Sequence, residues 1–166
     1  GHAKHPVARG IRQKPVAAKS AAEIVRGAPG SMGDPAWRRG YALLADHGLH
    51  YELQTPWWHL HEAAELARAF PDIRINLNHT GLPADRSEAG HRGWRDAMSA
   101  FAAEPNTRVK ISGIGQPGKP WTIDANRPVV LDTIALFGVE RCLFASNFPV
   151  DSVCAGYDTI FDGFKA

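Results

Sequence analysis

The feature that most constrains the fold of this chain of 166 residues is a regular alternation of short β-type runs with longer helical patterns. Such alternation is typical of βαβ units that build a parallel sheet. Five runs are predicted to be strands, over residues 7–13, 49–54, 73–79, 108–112 and 141–147. The length favours one domain over residues 1–166.

Helices are predicted between these strands, over residues 36–47, 57–70, 93–103 and 127–137, with a short helical stretch over 20–26. The clearest boundaries belong to the first long helix. Asp34 is a favourable N-cap, Pro35 suits the first helical position, and Gly48 is the natural residue to follow the helix end. The final helix that would cover the fifth strand is expected to be absent, because the chain stops at Lys165 and Ala166.

Four of the predicted strands carry polar residues on one of their two faces. These residues are Gly10 and Arg12, Glu52 and Gln54, Asn76 and Asn78, and Lys110 and Ser112. Strands of a doubly wound sheet are covered by helices on both faces and tend to be apolar throughout. Strands of a (β/α)8 barrel can instead carry polar side chains beside an active site. The faces favour a partial barrel of about five βα units, with a flavodoxin-like doubly wound sheet as the alternative.

Composition argues against several functional classes. The net charge is only +2, and the densest basic stretch, residues 4–19, contains no aromatic residue for base stacking, so nucleic-acid binding is not expected. No apolar run approaches the roughly 20 residues that span a bilayer, so membrane insertion is not expected either. Cys142 and Cys154 are too few for a disulfide scaffold and favour the cytoplasm.

Two short motifs carry little weight. Residues 113–118 match GxGxxG after a strand, but Pro117 removes a backbone donor and no helix begins at once, so a dinucleotide site is not favoured. His59 and His61 have the HxH spacing of some metal sites. They fall at the start of a helix, where positions i and i+2 diverge, so they are interpreted as an exposed helical pair.

His79 ends the third strand, which would place it at the catalytic face of a barrel, where neutral imidazole can bind a metal or accept a proton. A hydrogen-bonded structural histidine is the competing interpretation. Strand alternation also groups His79 with the apolar Ile75 and Leu77, so a bulge or the strand end would have to redirect it.

Other polar or aromatic residues are expected at the same rim. Arg12 suits an anionic or carbonyl-rich substrate, with an ion pair to Glu52 as the alternative. Gln54 and Lys110 lie on the polar faces of their strands. Trp121, in a long loop, would wall the site or cap the core. No GxSxG elbow is present, so serine nucleophile chemistry is not supported.

Several segments together resemble the lactonase-like branch of the amidohydrolase superfamily. They are residues 9–13 (RGIRQ), 78–83 (NHTGLP), 105–106 (PN) with 109–113 (VKISG), and 137–141 (FGVER) with 144–150 (FASNFPV). The resemblance implies a (β/α)8 barrel that hydrolyses sugar-acid or dicarboxylate lactones, and related branches use zinc for decarboxylation or other C–O and C–N cleavages. The present strands would correspond to barrel strands four to eight, and nothing here corresponds to strands one to three with their HxH pair.

The resemblance also implies roles for individual residues. His79 matches the strand-six active-site histidine, Arg12 a substrate-facing arginine of strand four, and Asn147 the strand-eight catalytic position. That position is usually an aspartate, and an amide cannot accept the proton from an attacking water. Asp151 is the nearest carboxylate that can substitute, and an N-cap of a following helix is its alternative role.

The expected function is therefore hydrolysis of a small lactone, with His79, Asn147 and Asp151 as catalytic residues. Arg12, Gln54, Lys110 and Trp121 are the expected substrate-binding residues. A zinc-dependent decarboxylase on the same scaffold and a non-catalytic relative are the alternatives, the latter because of Asn147. One divalent metal, zinc, or none is the expected cofactor, with no ligands assigned. The expected partner is a small-molecule substrate, and a homo-oligomer stays open.

Overall fold

The computed structural model describes residues 4–166, and its centre is one sheet of five parallel strands. The strands are β1 (Gly10–Arg12), β2 (His50–Leu53), β3 (Ile75–Leu77), β4 (Thr107–Ile111) and β5 (Cys142–Phe144). Each strand pairs with the next along the chain, in the order β1-β2-β3-β4-β5. A flavodoxin-like sheet would have its order interrupted by a switch point. Sequential order is the arrangement of a barrel, so the predicted partial barrel is confirmed.

Within residues 4–166, five α-helices flank the strands. They are α1 (Pro35–Asp46), α2 (Leu60–Ala69), α3 (Glu88–Ala102), α4 (Ile123–Phe137) and α5 (Tyr157–Lys165). The predicted start of α1 is confirmed, because Asp34 Oδ1 accepts a hydrogen bond from the amide of Ala36 at 2.8 Å. Gly48, two residues after α1, has the predicted positive φ, 61°. The stretch over residues 20–26 forms only a short 3-10 helix, Ala21–Glu23.

Helix α5 corrects the expectation that no final helix covers the fifth strand. Ile160 is buried, and the ring of Phe164 packs 4.9 Å from Phe144 and 5.5 Å from Trp121. Ile160 and Phe164 are four residues apart and therefore lie on one face of a helix. This spacing is the signal that the sequence interpretation overlooked.

The two faces of the sheet differ as the alternation predicts. The apolar face packs against the helices, and its buried residues are Tyr51, Leu53, Ile75, Leu77, Val109 and Ile111. Trp94 and Phe101 of α3 and Leu66 of α2 complete this core. The opposite face carries Arg12, Glu52, Asn76 and Lys110. The core thus lies between sheet and helices, and the polar face is free for a site.

Both outer strands have an open edge within residues 4–166, since β1 pairs only with β2 and β5 only with β4. Apolar side chains at these edges remain accessible: Ile11 is 39% exposed, Leu143 41% and Phe144 43%. Over the same residues, none of the helices combines the length and apolar character needed to cross a membrane.

Candidate active site

A polar network occupies the inner face of the sheet, with Glu52 at its centre. The carboxylate of Glu52 forms an ion pair with Lys110 and accepts hydrogen bonds from Asn76 Nδ2 at 2.9 Å and from His50 Nε2 at 3.1 Å. Burial alone would raise the pKa of Glu52, but the hydrogen bonds from Lys110 and Asn76 and the charge of Lys110 lower it below its usual value. Glu52 is therefore an ionised anchor for Lys110.

Arg12 lies beside this network but is not the partner of Glu52. Its guanidinium donates to Asn78 Oδ1 at 3.0 Å, and Asn78 Nδ2 donates to the carbonyl of Leu53 at 3.1 Å. The alternative of an Arg12–Glu52 ion pair is therefore not what the structure shows. A guanidinium has five donors, so Arg12 keeps donors that no residue of 4–166 engages and that can serve a substrate.

His79 reaches the same face in spite of its place in the strand alternation. Its backbone adopts φ 57°, a left-handed conformation that redirects the side chain at the end of β3. Its Nδ1 lies 2.9 Å from Ser112 Oγ, at the end of β4. Burial, with the positive charges of Arg12, Lys110 and Lys14, lowers the pKa of His79 to about 4. The imidazole is therefore neutral near pH 7.

Gly113 makes room for this histidine. A Cβ atom at residue 113 would lie 2.8 Å from His79 Cγ and Nδ1, closer than carbon atoms approach without displacement. Gly113 also has φ 59°, which side chains rarely tolerate. The position of the imidazole thus depends on a glycine in the neighbouring loop.

Asn147 and Asp151 form a second cluster, after β5. Asn147 has φ 56°, and its Nδ2 donates to Asp151 Oδ1 at 2.8 Å. Burial raises the pKa of Asp151, while the hydrogen bonds from Asn147 and from the backbone of Gly115 oppose the rise. Asp151 does not cap the following helix, because Gly156 occupies the N-cap of α5. The carboxylate therefore faces the loop after β4.

The side chains of the other two sequence-predicted residues are not hydrogen-bonded to either cluster within residues 4–166. Gln54 follows β2 directly, is partly buried, and joins none of the side-chain hydrogen bonds of the network within residues 4–166. Trp121 is 7% exposed and belongs to the hydrophobic core, with its ring against Phe164 and Gly163 of α5. The structure favours the core interpretation of Trp121.

Sequence inspection missed two residues of the arrangement. Asn78 connects Arg12 to β2, and its place on the polar face of β3 was the available signal. Arg86 donates to the carbonyl of Ile114 in the loop after β4. It lies in a loop without periodicity, so no pattern pointed to it.

A metal site is not complete within the described part of the chain. Among residues 4–166, no group of three His, Cys, Asp or Glu side chains can hold a metal ion. His79 Nδ1 is engaged with Ser112, and Asn147 offers an amide in place of a carboxylate. These donors do not by themselves fit zinc, which takes three or four His, Cys or carboxylate ligands.

The HxH pair has the divergent geometry expected on a helix. His59 is buried, its Nε2 accepts from the amide of Ala18 at 2.9 Å and its Nδ1 lies 3.1 Å from Glu62. His61 pairs instead with Asp96 of α3. His59 is therefore a buried structural residue. The sequence interpretation of an exposed pair is wrong for this histidine.

Comparison with known proteins identifies the family. Residues 21–166 match the sequence profile of the family described as Amidohydrolase. The uncharacterized protein y4mH of Sinorhizobium fredii is 44% identical over 164 residues, covering 99% of this chain and 55% of its own length. An L-fucono-1,5-lactonase of Burkholderia ambifaria is 30% identical over 129 residues, covering 75% of this chain and 43% of its own length. The chain belongs to the amidohydrolase family, as the resemblance predicted.

A solved structure agrees with the fold. An amidohydrolase of Burkholderia multivorans, crystallised with bound zinc, superposes with a TM-score of 0.76 at 22% identity. The match covers 95% of this chain and 55% of that structure. The chain thus spans about half the length of the relatives that it matches.

Proposed function

We propose that this site hydrolyses a small lactone, of the sugar-acid or dicarboxylate type, by attack of water on the ring carbonyl. The oxygen of water bonds to the carbonyl carbon, the ring C–O bond breaks, and a hydroxy acid results. The observation that carries the proposal is the neutral imidazole of His79 beside the cations Arg12 and Lys110 on the polar face. The family and the lactonase among the relatives support it.

The roles of His79, Arg12 and Lys110 follow from their contacts. When the Ser112 hydroxyl donates to Nδ1, His79 carries its proton on Nε2 and can donate it in a hydrogen bond to the lactone carbonyl. Arg12 and Lys110 stabilise the negative charge that develops on that oxygen. Gln54 is assigned to substrate hydroxyl groups. Trp121, first expected to line the substrate, contributes through the core beneath α5 in this proposal.

Asp151 accepts the proton of the attacking water and returns it to the ring oxygen as the C–O bond breaks, and Asn147 orients its carboxylate. The raised pKa of Asp151 makes it a better base than an exposed aspartate, provided that it is ionised at the working pH. Asn147 holds one carboxylate oxygen by its Nδ2, which leaves the other for water. Asp151 thus replaces the aspartate that the family resemblance leads us to expect at residue 147, and Asn147 keeps only an orienting role.

The test is a panel of lactones that begins with L-fucono-1,5-lactone and includes other sugar-acid lactones and a dicarboxylate lactone. Acid release is followed with a pH indicator for the wild type and for His79→Gln, Asp151→Asn and His91→Gln. Loss of the general acid–base groups should lower kcat/KM by about 100-fold or more. His91→Gln is the control, since His91 pairs with Asp132 between α3 and α4.

Two outcomes would contradict the proposal. A wild type that turns over no lactone, with identical behaviour of His79→Gln, would favour the non-catalytic relative. Release of carbon dioxide from carboxylic acids, with stoichiometric zinc in the purified protein by mass spectrometry, would favour the zinc-dependent decarboxylase. Zinc is the one metal that we propose to assay, and the proposed hydrolysis assigns no step to it.

A further inference from the structure

Arg86 is a partly buried cation to which the proposed reaction assigns no role. It lies between β3 and α3, and one terminal nitrogen donates to the carbonyl of Ile114 at 2.9 Å and lies 3.5 Å from Asn126 Oδ1. Its Nε is buried without a hydrogen-bond partner, and in the part of the chain that the structure describes it forms no ion pair. Burying part of a guanidinium without a partner for its Nε is unfavourable. The contact of Arg86 with Ile114 is therefore a candidate for a functional role.

Ile114 lies between two glycines that each contact one half of the site. Gly113 packs against the ring of His79, as described above. Gly115 lies against the carboxylate of Asp151, since a Cβ at residue 115 would lie 3.5 Å from Asp151 Oδ2 and 3.0 Å from Cys154 Sγ. The three-residue segment 113–115 is therefore the physical link between His79 and Asp151.

Such a segment needs an external tether. Glycine gives the backbone more conformational freedom than any other residue, so two glycines in three positions do not hold a fixed geometry by themselves. The buried side chain of Ile114 holds the middle of the segment in the core, and the loop after β3 supplies further contacts to its backbone. Gln116 Nε2 donates to the carbonyl of Ala84 at 3.0 Å, close in sequence to the bond from Arg86 to Ile114.

We propose that Arg86 is a positioning residue, which fixes segment 113–115 and thereby sets the positions of His79 and Asp151 relative to each other. Arg86 acts through the backbone of the segment, and it is given no contact with substrate. The inference rests on the proposed function, because it assumes that His79 and Asp151 act on the same lactone. Asn126, in the first turn of α4, orients the guanidinium.

The test compares Arg86→Met, Arg86→Lys and Arg141→Met. Arg141 is the matched control, because it too donates to backbone carbonyls, those of Phe137 at 2.8 Å and Ala102 at 2.9 Å. It directly precedes β5 and so lies at the opposite end of the strands from His79. Both kcat and KM are measured on the best lactone, and the amide signals of Gly113 and Gly115 and the ring signals of His79 are followed by NMR.

Displacement of catalytic groups by about 1 Å can cost on the order of 100-fold in rate, so Arg86→Met is expected to lower kcat by about 10- to 100-fold with little change in KM. Arg86→Lys keeps one donor and should recover part of the loss. The glycine and His79 signals should move in Arg86→Met. In Arg141→Met the kcat and these signals should stay as in the wild type, even where its stability falls further.

Failure of the inference is distinguishable from failure of the proposed function. A wild type without lactone turnover contradicts the proposed function, while the NMR comparison still tests the tether. Unchanged Gly113, Gly115 and His79 signals in Arg86→Met would overturn the inference, as would equal shifts in Arg141→Met. Should Arg86→Met not fold, Arg86→Lys carries the same comparison.

Discussion

His79 and Asn147 both adopt a positive φ, 57° and 56°. The family resemblance assigns these two residues to catalytic positions at the ends of the third and fifth strands. Left-handed backbone in residues other than glycine is unfavourable by about 1–3 kcal/mol each and concentrates at functional sites. For His79 the conformation also explains a conflict in the sequence, where strand alternation groups it with the apolar Ile75 and Leu77. Redirection at the strand end brings His79 to Ser112 and Asn147 to Asp151.

The first prediction concerns the glycine beside His79. Gly113→Ala should displace the imidazole, because the new Cβ would lie 2.8 Å from the ring, and lactone turnover should be lost. Gly118→Ala is the control. Gly118 has a similar φ, 75°, so it carries the same backbone strain, but no atom lies within 4 Å of the position that its methyl group would take. Equal losses of kcat in the two variants would contradict the steric explanation.

The second prediction concerns the pH dependence of stability. Unfolded histidine binds its proton near pH 6.5, whereas His79 in the folded protein does so only near pH 4. Between these values the unfolded state binds more protons, so the free energy of unfolding should fall as the pH decreases from about 6.5 to 4. His79→Gln should show a smaller fall in urea titrations across this range, while His91→Gln should keep the contribution of His79. Identical slopes for His79→Gln and the wild type would contradict the lowered pKa.

At the scale of the elements, the sequence predicted the five strands, their polar face and the boundaries of α1, because these depend on local alternation and capping. It placed the start of α4 too late, at residue 127, although Thr122 caps the helix by accepting from the amide of Ala125. It also missed α5. Trp121 and Asp151 were ambiguous in sequence because their environments are made by residues distant along the chain, Phe164 for Trp121 and Gly115 for Asp151.

The third prediction tests the packing of α5 against the core. At Gly163 a methyl group would overlap the indole of Trp121, so Gly163→Ala should destabilise the protein by about 1–3 kcal/mol through overpacking. Gly40→Ala in α1 is the matched helical control, because nothing lies within 4 Å of a Cβ there. That variant should stabilise the protein by about 0.5–1 kcal/mol, the usual helical advantage of alanine over glycine. Both changes are measured by chemical denaturation, and a Gly163→Ala variant as stable as the wild type would contradict the packing.

At the scale of the whole molecule, the sheet that carries the polar site is open and is not closed into a barrel within residues 4–166. A closed barrel has no free strand edge, whereas β1 and β5 each have one within residues 4–166. The chain also spans only about half the length of its relatives. The inner face therefore carries one arc of polar residues, from Arg12 on β1 to Asn147 beyond β5, and this arc is what the sequence could predict of the site.

The last prediction follows from the edge at β5. Leu143 aligns with Lys110 on the inner face and is 41% exposed on a strand with unpaired backbone groups. Exposed apolar edge strands promote pairing between chains, and lysine at such positions prevents it. The chain of 166 residues should therefore self-associate as its concentration rises in sedimentation velocity, and Leu143→Lys should reduce this. Leu43→Lys on α1 is the control, since Leu43 is more exposed, at 56%, but lies on a helix and not at a strand edge. If both variants reduce association equally, general surface hydrophobicity rather than the strand edge is responsible.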